Sequence, residues 1–153
     1  MRSLEALCER AWLLKVAGRL DEALEVANAA VRLARFTGDR QSHIRPRILR
    51  AQVLQFQGKF SESVAELNAC AEEAHTHDWL AQEAVCLQQR GKVHFNAGDA
   101  EGALADLTRA LSLRQTLGAS EDQLESSRFA IRAVQQYILD HPAVEDQAGR
   151  EDR

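Results

Sequence analysis

Three sets of residues in this 153-residue chain have types that could do chemistry. His75-Thr76-His77-Asp78 is the only short cluster of potential metal ligands. A zinc site needs its ligands to converge, and two histidines at i, i+2 near a helix end do not share a helical face. They read instead as residues suited to the negative end of a helix dipole. Cys8 and His94 are one candidate thiol–base pair, and Cys70 is a further thiol. A nucleophile needs its base within hydrogen-bond reach, so that pair depends on where the fold places two residues 86 positions apart. The third set is Arg32, Arg35, Arg40, Arg45, Arg47 and Arg50, with Asp39 as the only acid among them. Such a cluster reads first as a solvated surface and second as a dock for an acidic segment.

No GxSxG, P-loop, HExxH or GxGxxG occurs, so the chain reads as a non-enzyme with no cofactor and no metal. The net charge is −4, and the last thirteen residues supply −2 of it. A body so close to neutral argues against a dedicated nucleic-acid binder, which carries a strongly basic face. The three cysteines, at 8, 70 and 86, form no CxxC and no even-numbered disulfide set, which points to a reducing, cytoplasmic compartment. Neither a signal peptide nor a twenty-residue apolar span is present, so neither secretion nor membrane insertion is expected.

The elements that must position these residues follow from a repeated turn. Gly18-Arg19-Leu20-Asp21-Glu22-Ala23-Leu24 returns as Gly58-Lys59-Phe60-Ser61-Glu62-Ser63-Val64 and as Gly98-Asp99-Ala100-Glu101-Gly102-Ala103-Leu104. The three glycines stand 40 residues apart, the mark of a stacked helical repeat. Apolar residues at three- and four-residue steps predict helices over 3–17, 20–36, 60–76, 79–97 and 100–116. A further helix starts between Ser42 and Arg45 and runs to Gln57, because Pro46 is tolerated only in a first turn. Ser120 and Gln123 form a capping box for a seventh helix, striped by Leu124, Ser127, Ile131, Val134 and Ile138. Residues 141–153 have no periodicity and are expected to be a disordered tail.

The repeats resemble the tetratricopeptide (TPR) family. Its large–small–large pattern in the first helix falls on Leu7, Ala11 and Leu14, on Arg47, Ala51 and Leu54, and on Leu87, Gly91 and His94. Its small residues of the second helix fall on Ala23 and Ala30, Ser63 and Cys70, and Ala103 and Ala110. The family's usual period is about 34 residues, so the helices here are longer. The repeat-closing proline is missing, and arginine stands at Arg10, Arg50 and Arg90 where the family has leucine. The longer period resembles the variant repeats of kinesin light chains, spindle-orientation adaptors and peptide-sensing bacterial regulators. A HEAT array, with repeats of similar length, is the rival fold.

The resemblance implies an all-α, right-handed superhelix of three hairpins (about 3–37, 42–77 and 79–117) with a capping helix at 120–140, in one domain spanning 1–140. Stacking at roughly 10 Å per repeat would hold Cys8 and His94, two repeats apart, about 20 Å from each other. The implied function is binding a protein or peptide, with an acidic one suited to the arginine cluster, as an adaptor or as the sensing part of a regulator. Self-association through an end repeat, such as a homodimer, is the alternative. In this family ligands lie along the first helices of the hairpins, which places a groove on Trp12, Lys15, Arg45, Gln52, Phe56, Gln88, Lys92, Phe95 and Asn96. The chaperone-binding carboxylate clamp would need Lys and Asn where this chain has Cys8 and Trp12, so chaperone tails are not the expected ligand. Arg10, Arg50 and Arg90 are expected to stack as a ladder with paired heads, with Glu66 and Asp106 as partners.

Overall fold

The computed structural model describes residues 3–142. Seven α-helices run in order: α1 (Leu4–Val16), α2 (Leu20–Ala34), α3 (Ile44–Phe56), α4 (Phe60–Thr76), α5 (Leu80–Asn96), α6 (Ala100–Thr116) and α7 (Glu121–Asp140). No strand occurs among the described residues. Each helix packs on the next, and the odd-numbered helices α1, α3 and α5 also touch one another in sequence order. They form one layer, with α2, α4 and α6 behind them.

The repeated turn closes identically in all three hairpins. Gly18, Gly58 and Gly98 take φ of 78°, 77° and 90°, the left-handed exit that side chains disfavour. The following amide then reaches back across the helix end: Arg19 to the Leu14 carbonyl at 2.9 Å, Lys59 to Leu54 at 2.9 Å, Asp99 to His94 at 2.8 Å. Asp78 holds the same conformation between hairpins, at φ 57°, where the neighbouring repeats have Gly38 and Gly118.

The small residues set how closely the layers approach. Ala23, Ala27 and Ala30 of α2, Ser63, Leu67 and Cys70 of α4, and Ala103 and Ala110 of α6 are all fully buried. Ser63 can occupy such a place because its hydroxyl donates to the Ala51 carbonyl at 2.7 Å. Gly91 of α5 lies so near α6 that a Cβ would stand 3.0 Å from Leu107 Cγ. Leu67 and Leu107 fill the spaces left, each worth about 1.5–3 kcal/mol of burial.

Pro46 lies in the first turn of α3, and a short 3-10 turn at Gln41–His43 leads into it. Asp39 organises that entry, accepting from the Ser42 amide at 2.9 Å. The stripe of α7 packs against α6 as its spacing implies, with Ser127 and Val134 buried. Ser120 accepts from the Gln123 amide at 3.3 Å. The expected tail begins with two described residues: His141, whose ring stacks on Tyr137 at 4.1 Å, and Pro142. Residues 143–153 of that expectation lie outside the described residues.

The arginine ladder has two rungs, not three. Arg50 donates to Glu66 at 2.8 Å, and Arg90 grips Asp106 at 2.6 and 2.7 Å. Arg10 is exposed and makes no ion pair among the described residues. One period before Glu66 the chain has Val26, so the first hairpin offers no carboxylate at that place.

Candidate functional site

The layer of α1, α3 and α5 encloses a groove of about 1010 Å³. Cys8, Ile48 and Leu49, all buried, form its floor. Trp12 of α1 and Val85 of α5 stand on opposite walls, 49% and 43% exposed. Arg45, Gln41 and Ser42 line the lip, so the segment that leads into α3 also shapes the site. Gln52 borders the end nearest the hairpin turns. An apolar floor with a few polar groups at its margin is the usual make-up of a ligand cleft.

Of the residues expected in the groove, Trp12, Arg45 and Gln52 meet in this concavity. Lys15 and Phe56 stand just beyond it: Lys15 Nζ donates to Gln52 Oε1 at 3.2 Å and lies 5.5 Å from the Phe56 ring centroid. Lys92 and Asn96 are exposed on the same face of α5. Two others are not free surface. Gln88 is only 7% exposed, and its Oε1 is buried with no hydrogen-bond partner among the described residues. Phe95 packs edge-on to Tyr137 of α7 at 5.0 Å, because the capping helix lies against that end of α5.

A chain of amides lies behind the groove. Gln52 Nε2 donates to Gln89 Oε1 at 3.2 Å, and Gln89 Nε2 donates to Gln55 Oε1 at 2.6 Å. Gln89 had no place in the groove expectation. Two successive glutamines in mid-helix, at 88 and 89, are the signal that could have drawn attention to it. Burial pushes the Cys8 thiol above its ordinary value, with nearby Arg45 opposing. Burial, then the charge of Lys92, pulls the Lys15 ammonium below its ordinary value.

The other reactive sets resolve into structure. His75 and His77 turn to different partners: His75 Nδ1 lies 3.0 Å from Glu83 Oε1, while His77 stacks on Trp79 at 4.5 Å. Among the described residues, no three His, Cys, Asp or Glu side chains converge as a metal site would need. His94 lies 3.6 Å from Asp99 and 3.7 Å from Asp106, on the far hairpin from Cys8. The arginine cluster meets acids from α4. Arg47 bonds Glu66 at 3.0 Å and Glu73 at 2.9 Å, and Arg40 reaches Glu73 at 3.2 Å.

This arrangement has a solved counterpart. The chain superimposes on the crystal structure of the apo form of RapI. The TM-score is 0.74, with 13% sequence identity over 90% of this chain and 50% of RapI. At that identity the likeness concerns the fold, a TPR-like helical repeat. The chain spans half the length of RapI. No protein-family profile matches the sequence, and no curated protein matches it. Among the described residues, no helix is long and apolar enough to cross a membrane.

Proposed function

We propose that this chain is a TPR-type interaction module that binds a peptide or an extended protein segment along the groove of α1, α3 and α5. Trp12 carries the reading: a tryptophan 49% exposed on the wall of a groove of about 1010 Å³ with an apolar floor is the kind of side chain that anchors a bound segment. The 40-residue period and the small-residue pattern support the TPR assignment and its right-handed superhelical winding. The role is that of an adaptor or of the sensing part of a regulator, working by binding and not by catalysis, in the cytoplasm. The cations Lys15, Arg45 and Lys92 of this helix layer, which meet no carboxylate among the described residues, favour an acidic partner, and the net charge of −4 disfavours a nucleic acid.

The test is affinity capture from the native host with the wild-type chain, Trp12→Ala and Lys92→Glu, followed by mass spectrometry and titration of what is captured. The groove reading expects each substitution to weaken binding by about 1–3 kcal/mol with helicity unchanged. Unchanged affinity in both, with the partner mapping to α2, α4 or α6, overturns it. A second reading, self-association through the end hairpin, is favoured by Leu13 and Val16 of α1, which are 53% and 64% exposed. Light scattering that shows a monomer at high micromolar concentration removes it.

A further inference from the structure

A cleft behind α3 holds more positive charge than its carboxylates offset. It opens among α2, α3 and α4, with a volume of about 300 Å³. Arg35 at the end of α2, Arg40 before the 3-10 turn, and Arg47 and Arg50 of α3 line it. Glu66 and Glu73 of α4 line it too, so two positive charges are left over. Arg45, two residues from Arg47, lines the groove instead, so cleft and groove lie on different faces of α3.

The carboxylates fix the arginines without saturating them. Glu66 bridges Arg47 and Arg50 at 3.0 and 2.8 Å, and Glu73 bridges Arg40 and Arg47 at 3.2 and 2.9 Å. A guanidinium has five N–H donors. Arg40 uses Nε and Arg50 uses Nη2, while the Arg35 side chain makes no hydrogen bond among the described residues. His43, also in the lining, donates from Nε2 to the Thr37 carbonyl at 3.3 Å, which leaves Nδ1 unengaged. α3 alone of the seven helices has no acidic residue in its first turn, so no carboxylate there offsets the positive end of its dipole.

The repeat supplies its own comparison. Val31, Arg35, His43, Arg47 and Arg50 correspond, one period on, to Ala71, His75, Glu83, Leu87 and Arg90. These five line the equivalent cleft among α4, α5 and α6. There Arg90 and Arg109 stand against Glu72 and Glu83, a balanced set. The same cleft is therefore neutral at one junction and cationic at the other. Like charges held together cost the free protein stability, and an anion seated among them relieves it.

We propose that the cleft between the first and second hairpins binds a phosphate dianion, free or as a phosphomonoester, through Arg35, Arg40 and Arg50. A phosphomonoester carries close to two negative charges at neutral pH, which matches the excess, whereas a carboxylate balances half of it. Its three oxygens can each meet a guanidinium, one from α2, one from the connection and one from α3, and the planar fork of arginine suits them.

The test follows the arginine Cζ–Nε resonances of the full chain, by carbon-detected NMR at about pH 7.5, as inorganic phosphate replaces chloride at constant ionic strength. The expected result is a saturable shift at Arg35, Arg40 and Arg50 with a midpoint of about 1 mM, while Arg90 and Arg109 of the balanced cleft stay. Arg35→Gln and Arg40→Gln, at exposed positions, each weaken binding about tenfold with helicity unchanged. Acetyl-Ala-Ala-phosphoserine-Ala-Ala-amide distinguishes the two sources. Binding tighter than that of inorganic phosphate supports the site and assigns it to a phosphorylated side chain; equal or weaker binding supports it for the free ion. The same peptide with Glu in place of phosphoserine binds about tenfold more weakly than the phosphopeptide. Equal binding of those two peptides, undiminished binding in both Gln variants, equal shifts at Arg90 and Arg109, or no saturation by about 10 mM phosphate overturns the site. A short duplex DNA that binds more tightly than the phosphopeptide, with a steep salt dependence, would assign these arginines to a polyanion surface and overturn the cleft.

Discussion

Arg90 and Asp106 are joined by two parallel hydrogen bonds of 2.7 and 2.6 Å, Nε to Oδ2 and Nη2 to Oδ1, across the α5–α6 interface. The Asp106 side chain is 10% exposed and that of Arg90 24%, so water competes weakly for either. Arg90 also donates to Asn68 Oδ1 at 2.9 Å, which ties the second and third hairpins together through one guanidinium. This fork-to-fork geometry is the strongest form of the ion pair.

Removing one partner should therefore cost more than removing both. Asp106→Ala is expected to destabilise the fold by about 2–4 kcal/mol, because it strands a partly buried guanidinium. Arg10→Ala, two hairpins away, should change stability by less than about 0.5 kcal/mol, since Arg10 is exposed and the place of Glu66 and Asp106 is taken in its hairpin by Val26. Urea denaturation of both variants checks the contrast, and a large loss at Arg10 would contradict the two-rung ladder.

Asp78 is the only non-glycine residue at positive φ among those described, at φ 57°. Its backbone conformation lets the Trp79 amide reach the Ala74 carbonyl at 2.9 Å. Aspartate tolerates this region, but a β-branched residue does not. Asp78→Val should cost about 1–3 kcal/mol, while Asp78→Gly should be neutral or stabilising, by thermal and urea melts.

Cys8, Cys70 and Cys86 are 2%, 0% and 0% exposed. A hydrogen bond to Cys70 and then burial drive the Cys86 thiol far above its ordinary value. A reagent must also reach the sulfur, so none of the three should react with an aromatic disulfide reagent on the timescale of minutes in the native state, Cys70 included, whose thiol the Cys86 hydrogen bond pulls below its ordinary value. All should react in denaturant. A fast native thiol would show that Cys8 is reachable through the groove floor.

The Lys15 ammonium is held below its ordinary value of 10.5 by burial first and by Lys92 second. A lowered lysine pKa means that the charged form is disfavoured in the fold. The resulting stability cost is present at neutral pH and disappears as pH rises through the folded-state value toward 10.5. Lys15→Met should thus stabilise the free protein at pH 7, by about 0.5 kcal/mol, with the advantage shrinking in alkaline solution. Paired urea titrations at neutral and alkaline pH measure it, and a loss of stability at pH 7 would mean that the Gln52 bond outweighs the desolvation.

The sequence by itself determined the hairpins. Gly18, Gly58 and Gly98, with the apolar steps between them, are local signals, because a helix exit and a buried stripe depend on residues within a few turns. They placed α4 and α6 at their observed ends and put Pro46 in a first turn. The small residues Ala30, Cys70 and Ala110 were legible for the same reason: a recurring position implies a recurring environment. What the tertiary structure alone decided is which of those positions found partners. Arg10 stands exposed with no ion pair among the described residues, and Arg47 has two acids because Glu66 and Glu73 of α4 both reach it. Phe95 left the groove because Tyr137, 42 positions away, packs upon it. Gln88 and Gln89 were buried by the approach of α3 to α5, a distance no local pattern encodes. Periodicity assigns a face to each residue, but the facing side chain, and so the charge and exposure of the groove, is set only when the layers close.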